Sequence, residues 1–273
     1  MVVTVTTQLT LPARLLRGFA TDFLTSHDVA EAQRIMAPDY TLHIGGHVFA
    51  GRDDQYLPAT AAQLDLFPGL IVTVHDVVLA PGWAAMRFTE HGTSAKPPHH
   101  AAAWGGITLF SFDGEQLSRG WAEEDYFARK RELKSGTCDP ILPPMAAPWD
   151  RPCEAPNDAT ELQARQWLGS PANILSPLVE QIRVGDPAFE TLIRPSAISL
   201  SALFTAGPRA AFHAVVSGTY AGGFPDIDRT LCGEAIDLRV AGIIDTDAGR
   251  VTRVQLSADR LGLHRDLLGR ARP

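Results

Sequence analysis

Features that would mark a membrane-bound, secreted or nucleic-acid-binding protein are missing from this 273-residue sequence. No apolar run approaches the roughly 18 residues that a transmembrane helix needs. The first residues lack the basic region and compact apolar segment of a secretory signal. The net charge is −7, and the sequence contains no run of basic residues. Both features argue against nucleic acid or anionic membranes as partners. We therefore expect a cytoplasmic globular protein.

Cysteine is also scarce, which limits the chemistry. Cys138, Cys153 and Cys232 are odd in number, scattered, and without C-x-x-C spacing. Such usage fits a reducing compartment better than a disulfide framework or a zinc site. The histidines have no tight carboxylate cluster beside them. The sequence therefore predicts no metal site.

The positive signal is a long internal repeat. Each half carries, in the same order, a Gly-Thr pair, a Gly-Ile pair opening a β-rich run, a glycine turn, and an aspartate ending the next strand. In the first half these are Gly92-Thr93, Gly106-Ile107, Asp113-Gly114 and Asp125; in the second they are Gly218-Thr219, Gly242-Ile243, Ala248-Gly249 and Asp259. A repeat of this length predicts two similar domains in tandem rather than a solenoid.

A proline-rich segment divides the halves. Residues 134–157 contain six prolines and keep neither a helical nor a strand period. Because proline fixes φ and removes backbone donors, we expect an extended, semi-rigid linker. Its apolar side chains predict that it lies along a domain surface or fills the interface. The expected domains are residues 1–133 and 158–273.

In each half, helices precede a long run of strands, which predicts the α+β class. Leu11, Leu15, Phe19 and Phe23 recur at four-residue spacing, typical of one face of an amphipathic helix. The strands expected in the first half cover residues 71–79, 83–93, 100–112 and 116–126. The second half repeats the strands behind a shorter helical front.

Several short motifs together resemble the SnoaL-like polyketide cyclases of the nuclear transport factor 2-like superfamily. They are Ala37-Pro38-Asp39-Tyr40 with His43, Leu66-Phe67-Pro68, Gly92-Thr93, Trp121 with Asp125, the segment 216–222, and the segment 257–269. The likeness covers about residues 12–133 and 158–270. It implies two tandem cone-shaped domains, each a curved antiparallel sheet wrapped by N-terminal helices.

The same resemblance implies a cofactor-independent acid/base enzyme of the polyketide cyclase or isomerase type. Its substrate would be a hydrophobic, carbonyl-containing small molecule. Fold alone does not give function, so two alternatives stay open. One is a non-catalytic small-molecule-binding or interaction module. The other is an epoxide hydrolase, which would need an acidic pair in each cone to activate water and protonate the epoxide oxygen.

The sequence also departs from the family pattern. After Gly92-Thr93 the chain continues into Ser94 and a Pro-Pro-His-His stretch, and the second half lacks a match to the Pro-Asp-Tyr-x-x-His strand. We expect the first cone to hold the active pocket, while the second is closed or completed by the first. Paired cones would hide their apolar sheet faces in an intramolecular pseudo-dimer, and the chain would be a monomer.

Asp125 is the first catalytic candidate, because the resemblance implies a general acid/base at the end of the last long strand. Burial in an apolar cone would raise its pKa toward the working range. Strand alternation places Glu123, and not Glu124, on the same face as Asp125. The alternative is that Asp125 only caps the helix beginning at Tyr126.

Three histidines follow as candidates. His43 lies on a strand where related cones place a polar pocket residue, although a lone strand histidine is also common at a solvent edge. His100 is a catalytic candidate and His99 a substrate-binding one. Alternation points these two to opposite faces, so at most one of them can enter the cone.

An aromatic set either builds the core or lines a pocket for a planar ring system. Its members are Tyr40, Tyr56, Trp83, Phe88, Trp104 and Trp121. Arg87 and Glu90 differ in strand parity, so both cannot face the cavity. In the second domain, Asp259 matches Asp125, and His213 and Tyr220 are its expected neighbours. Asp259 is alternatively a helix cap.

Overall fold

The computed structural model describes residues 9–182 and 185–270, which form two sheets with helices packed against them. The predicted α+β class, with two tandem cone-like domains, is confirmed. None of the helices in the described ranges combines the length and apolar character that a bilayer span requires.

The first domain begins with two helices, and a third follows its first two strands. Helix α1 (Leu11–Arg17) widens into a π-helical segment (Gly18–Thr25), and both bury the predicted apolar face. Helix α2 (Val29–Ile35) begins where the Asp28 carboxylate accepts the Ala30 amide, a typical N-cap. Helix α3 (Leu57–Leu66) follows a second π-helical segment and carries a proline in its first turn.

A six-stranded sheet follows the order β2-β1-β6-β5-β4-β3. Its strands are β1 (Met36–Ile44), β2 (His47–Ala50), β3 (Ile71–Ala80), β4 (Trp83–Thr93), β5 (Ala101–Asp113) and β6 (Gln116–Glu124). All neighbours are antiparallel except β1 and β6, which are parallel. That parallel pair departs from the purely antiparallel sheet expected for the domain. Helix α4 (Tyr126–Ser135) follows the sheet.

The second domain repeats this plan in reduced form, with strand order β7-β11-β10-β9-β8. Its elements are α5 (Asp158–Leu168), β7 (Val179–Gln181), α6 (Phe189–Leu192), β8 (Ile193–Ala206), β9 (Arg209–Tyr220), β10 (Ala235–Asp247), β11 (Arg250–Ala258) and α7 (Arg260–Arg270). The short β7 is parallel to β11, as β1 is to β6. Strand β7 is therefore the counterpart of β1, for which the second half of the sequence shows no matching motif.

Side chains fill the interior of the second domain. The buried cluster includes Trp167, Leu168, Phe189, Phe212, Tyr220, Phe224, Leu238, Leu256 and Leu263. Because large rings and aliphatic chains occupy the centre of this cone, the structure agrees with the expectation of a closed second domain.

The two sheets pack face to face across an apolar interface. Ile107 and Leu109 of the first sheet and Ala211, Ala241 and Ile243 of the second belong to one buried cluster. The intramolecular pseudo-dimer expected from the sequence is thus present in the fold. A monomeric chain in solution stays a prediction, which size-exclusion chromatography would check.

The proline-rich segment lies along β3, the edge strand of the first sheet. The Met145 amide donates to the Val74 carbonyl (2.8 Å), and the Glu154 amide donates to the Leu79 carbonyl (2.9 Å). Met145 and Trp149 pack against the first domain's core. The expected position along a domain surface is therefore confirmed, and the segment covers unpaired edge groups of the sheet.

Candidate functional site

The first sheet is buried on both faces, and strand alternation assigns its side chains to two different environments. Glu90 on β4, Thr108 on β5 and Glu124 on β6 face the interior of the first cone. Residues of the opposite parity, such as Ile107 and Trp121, face the second domain. A side chain on these strands can therefore take part in chemistry inside the first cone only if strand alternation points it toward the cone interior.

The interior of the first cone contains a cavity of about 140 Å³. For comparison, an apolar cavity of about 150 Å³ holds a benzene ring. Leu42, Phe49 and Ala59 line the cavity and are partly or fully exposed, so its opening lies between β1, β2 and α3. This opening is apolar, whereas the acidic residues lie inside.

Glu90 and Glu124 are the acidic residues of the cavity, and their exposed fractions are 3% and 7%. Glu90 Oε2 accepts a hydrogen bond from Gln63 Nε2 (2.7 Å). Glu124 Oε2 accepts one from Trp104 Nε1 (2.9 Å). Tyr126 also hydrogen-bonds to Glu124. Two carboxyl groups thus enter one small, largely apolar cavity.

Burial raises the pKa of both carboxyl groups. For Glu90, burial is the largest cause and the charge of Glu124 adds to it, so the pKa lies well above its ordinary value. For Glu124, burial again raises the pKa, while hydrogen bonds from Tyr126 and Trp104 and the charge of Arg129 oppose the shift. The two groups titrate as a pair, and their contacts favour the proton on Glu90 and the charge on Glu124.

Arg129 of α4 lies behind the cavity wall and holds its polar groups in place. Its guanidinium lies 4.2 Å from the ring centroid of Tyr126 and 4.9 Å from that of Trp104. It also donates to Gln63 Oε1 (3.2 Å), which leaves the Gln63 amide nitrogen for Glu90. One cation therefore contacts all three residues that hydrogen-bond to the two glutamates.

Tyr40 lines the cavity with a fully buried phenol whose oxygen has no hydrogen-bond partner among the described residues. The hydroxyl lies against Gly120, where a methyl group would stand only 2.2 Å from it. Leaving a buried hydroxyl unpaired costs about 1–3 kcal/mol. A polar group bound in the cavity could remove that cost.

Three of the six predicted aromatic residues, Tyr40, Tyr56 and Phe88, line the cavity. Trp104 does not line it but donates to Glu124 from behind the wall. These placements follow from parity, because Trp104 is paired with Glu90 across the β4–β5 ladder. The aromatic set therefore divides between the pocket and the interface, where the sequence left core and pocket as alternatives.

Asp125 does not enter the cavity, so its predicted position is wrong. Strand alternation points its side chain toward the second domain rather than into the cone. Its carboxylate forms a bidentate ion pair with buried Arg260 of the second domain, at 3.0 Å to Nε and 2.5 Å to Nη2. Its Oδ1 also accepts the Ala128 amide (3.3 Å), which makes it the N-cap of α4. The capping alternative is confirmed, and the cavity acid is its neighbour Glu124.

His43, Trp83 and Trp121 also lie on the interface side, contrary to their predicted pocket positions. His43 stacks on Trp121 at 5.9 Å between ring centroids, and Trp121 stacks on Trp83 at 5.6 Å. Trp83 in turn stacks on Phe204 of the second domain at 5.3 Å. The physical reason is again parity, since Trp121 and His43 alternate with the cavity-lining Ala122 and Leu42.

His99 and His100 lie in the loop before β5, outside the cavity. His99 Nδ1 contacts the Ser94 carbonyl oxygen (3.1 Å) and its backbone has a φ of 61°. His100 Nδ1 contacts the carbonyl oxygen of Leu133 on α4 (2.9 Å). Both rings therefore bond to backbone near the loop, and the predicted roles for them in the pocket are not supported.

The second-domain candidates separate as well. Tyr220 lies in the filled second core, where its hydroxyl accepts the Phe224 amide (2.9 Å). His213 reaches across the interface to Glu123, with 2.9 Å between Nε2 and Oε1. Asp259 caps α7 through the Gly262 amide (2.7 Å), and its charge raises the pKa of Glu123 after burial. This cluster is a buried polar contact between domains, separate from the cavity.

No group of three or more histidine, cysteine or carboxylate side chains suited to a metal ion occurs in residues 9–182 and 185–270. The residues that sequence reasoning missed are Glu90, Glu124, Gln63 and Tyr126. One signal was available for Glu90, since it shares strand parity with Phe88, which was predicted to face the pocket. Nothing in the sequence points to Gln63, whose role depends on how α3 packs over the sheet.

The comparison with protein families matches residues 16–120 to the SnoaL-like domain. Over these residues, the first half of this chain is similar to a SnoaL-like domain. The match covers most of the residues that line the cavity but ends before Ala122, Glu124 and Tyr126. The second half repeats the strand order of this SnoaL-like domain, which supports a tandem arrangement. No curated protein matched the chain.

Several solved structures align with about half of this chain and nearly all of their own. IdmH from Streptomyces antibioticus, a proposed polyketide cyclase, is 18% identical over 45% of this chain and 98% of its own, with a TM-score of 0.40. AclR from Streptomyces galilaeus, a proposed hydroxylase, is 13% identical over 47% and 98%, with a TM-score of 0.43. TsrD from Streptomyces laurentii is 19% identical over 46% and 98%, with a TM-score of 0.41. At these identities and scores, none of them assigns a reaction to this SnoaL-like domain.

Proposed function

We propose that the first domain is a cofactor-independent acid/base enzyme acting on a small, largely hydrophobic carbonyl compound. The observation that carries the proposal is the pair Glu90 and Glu124 in one buried cavity. Two carboxyl groups with different hydrogen-bond partners can supply an acid and a base at the same pH. The unpartnered Tyr40 hydroxyl adds a polar group that a substrate could satisfy.

In this mechanism Glu124 is the base. Its carboxylate is held by Trp104 and Tyr126, which favour its charged form. It removes an acidic proton from the carbon beside the carbonyl group. Glu90 carries the proton of the pair and donates it to the developing oxyanion, so charge moves between two fixed groups instead of accumulating on the substrate.

The size of the cavity limits the substrate. A volume of about 140 Å³ accepts a single ring and is small for a fused polycycle. Ligand sites for larger molecules usually measure about 300–1,000 Å³. We therefore propose a substrate, or a reacting part of one, of single-ring size, with any larger apolar portion extending between Leu42, Phe49 and Ala59.

Exchange of the α-protons of cyclohexanone in D₂O, followed by ¹H NMR, tests this proposal. The wild-type protein is expected to accelerate the exchange. Glu124→Gln keeps the shape of the side chain but cannot accept a proton, so the acceleration is expected to fall by about 10²–10⁴-fold.

Glu123→Gln is the matched control, because Glu123 precedes Glu124 on the same strand but faces the interface. It is expected to retain most of the exchange rate. Equal rates for wild-type and Glu124→Gln protein would refute the base. No acceleration by the wild-type protein would favour the alternative of a non-catalytic binding module.

Epoxide hydrolysis is a second candidate, favoured by the same acidic pair. One carboxyl group would protonate the epoxide oxygen while the other activates water. Hydrolysis of cyclohexene oxide would test it directly. The tandem form, with one ring opened in each half, has less support because side chains fill the second cone.

A further inference from the structure

The two cavity glutamates are buried without a cationic partner. Among the described residues, no Lys, Arg or His nitrogen lies within 4.0 Å of either carboxylate. The donors that reach them are the uncharged groups of Gln63, Trp104 and Tyr126. Buried glutamates are rare unless they are paired, so a positively charged group bound in the cavity would stabilise the ionised form of this pair.

The nearest cation, Arg129, does not supply that charge inside the cavity. It is not among the cavity-lining residues, and its guanidinium stacks on the Tyr126 ring from α4. Its hydrogen bond goes to Gln63. The charge of Arg129 therefore lowers the pKa of both glutamates without placing a cation among the residues that line the cavity.

The remaining walls suit an organic cation. Six aromatic residues line the cavity: Phe19, Tyr40, Phe49, Tyr56, Phe88 and Tyr126. Aromatic faces attract cations through their quadrupole, and they also accept hydrocarbon groups. A strongly hydrated inorganic ion would gain little from these walls, whereas an ammonium group on a hydrocarbon skeleton matches both the acids and the rings.

We propose that the cavity binds a small organic ammonium ion, a protonated amine on a carbon skeleton of single-ring size. Its N–H groups donate to Glu90 and Glu124, and its hydrocarbon part packs on the aromatic walls. Binding by itself requires no catalysis. Because the ammonium ion would occupy both groups of the proposed acid/base pair, it would compete with a carbonyl substrate for the cavity.

Binding of the cation also changes the protonation of the pair. Burial raises the pKa of both carboxyl groups, and for Glu90 the charge of Glu124 adds to this shift, so the free pair favours holding a proton. An ammonium ion stabilises the doubly ionised pair, so that proton is released. The other titratable groups facing the pair are Arg129 and the phenols of Tyr40, Tyr56 and Tyr126. The phenols stay neutral because burial raises their pKa values.

Isothermal titration calorimetry with cyclohexylamine and cyclohexanol at neutral pH tests the proposal, because the two probes differ mainly in charge. Wild-type protein is expected to bind cyclohexylammonium at least about tenfold more tightly than cyclohexanol. Titrations in two buffers of different ionisation enthalpy should show proton release with the amine only. Glu90→Gln and Glu124→Gln should each lose most of the preference for the amine.

Glu123→Gln serves as the control for charge on the opposite face of the strand and should keep the preference. Cyclohexanol binding in each variant shows that its cavity is intact. Equal affinity of wild-type protein for the two probes, or an unchanged preference in both cavity variants, would overturn the proposal. Loss of cyclohexanone exchange with a retained amine preference would overturn only the proposed function.

Discussion

Replacing Asp125 by alanine is expected to lower the free energy of unfolding by about 3–5 kcal/mol, the usual cost of removing one partner of a buried ion pair. Arg260 is fully buried, and its guanidinium also donates to the carbonyl oxygens of Gly185 and Pro187 and lies 5.2 Å from the centroid of the Phe127 ring. Chemical denaturation of wild-type and variant protein measures the loss.

Asp28→Ala is the matched control, because Asp28 also caps a helix but is exposed and pairs with no arginine in the part of the chain that the structure describes. It should cost only the cap, about 0.5–2 kcal/mol. The double variant Asp125→Ala/Arg260→Met removes both charges and should recover much of the loss. A loss for Asp125→Ala no greater than that for Asp28→Ala would contradict the ion pair's role.

Glu132→Gln is expected to remove a pH-dependent loss of stability. Glu132 is completely buried on α4, and its Oε2 accepts the Ala103 amide (2.6 Å). Burial and then a hydrogen bond with Asp139 raise its pKa from 4.5 to about 8. Because the folded-state pKa is the higher one, the stabilisation is complete below about pH 4.5 and is lost as the pH rises to about 8.

Glutamine mimics the protonated carboxyl group at every pH. Glu132→Gln should therefore match wild-type protein near pH 5 and exceed it near pH 9 by a few kcal/mol, on the order expected for a shift of this size. Denaturation curves at the two pH values measure the difference. Glu161→Gln, at an exposed pair with Arg165, should show no such trend. A pH-independent difference for Glu132→Gln would show that the residue stays ionised.

Much of the fold was predictable because its elements have local signals. The four-residue spacing from Leu11 to Phe23 gave the first helical segment, and Asp113-Gly114 gave the β5–β6 turn. The repeat gave the second sheet. The parallel pairing of β1 with β6 was not predicted, because nothing in a nine-residue strand states which distant strand lies beside it.

The site was harder, for a reason specific to paired domains. Strand alternation correctly separated Glu123 and Asp125 from Glu124, but it could not say which set faces the cavity. In an isolated domain one face of the sheet would be exposed to solvent, and its polar residues would show that the other face lines the cavity. Here the second domain buries the other face, so charged and aromatic residues occur on both.

Residues whose roles depend on tertiary packing have no recognisable pattern in the sequence. Gln63 and Arg129 lie on different helices and meet only because both pack against the same end of the sheet. Their sequence separation carries no period. The roles of such residues depend on tertiary structure, and a single sequence does not contain that information in local form.

The turn between β1 and β2 connects the cavity opening to the second domain. This turn, Gly45-Gly46, joins the two strands that border the cavity opening, and the Gly45 amide donates to Glu123 Oε2 (3.3 Å). Asp259 and Arg239 of the second domain lie directly beside it. We therefore expect that widening of the cavity opening requires this hairpin to move against the second domain.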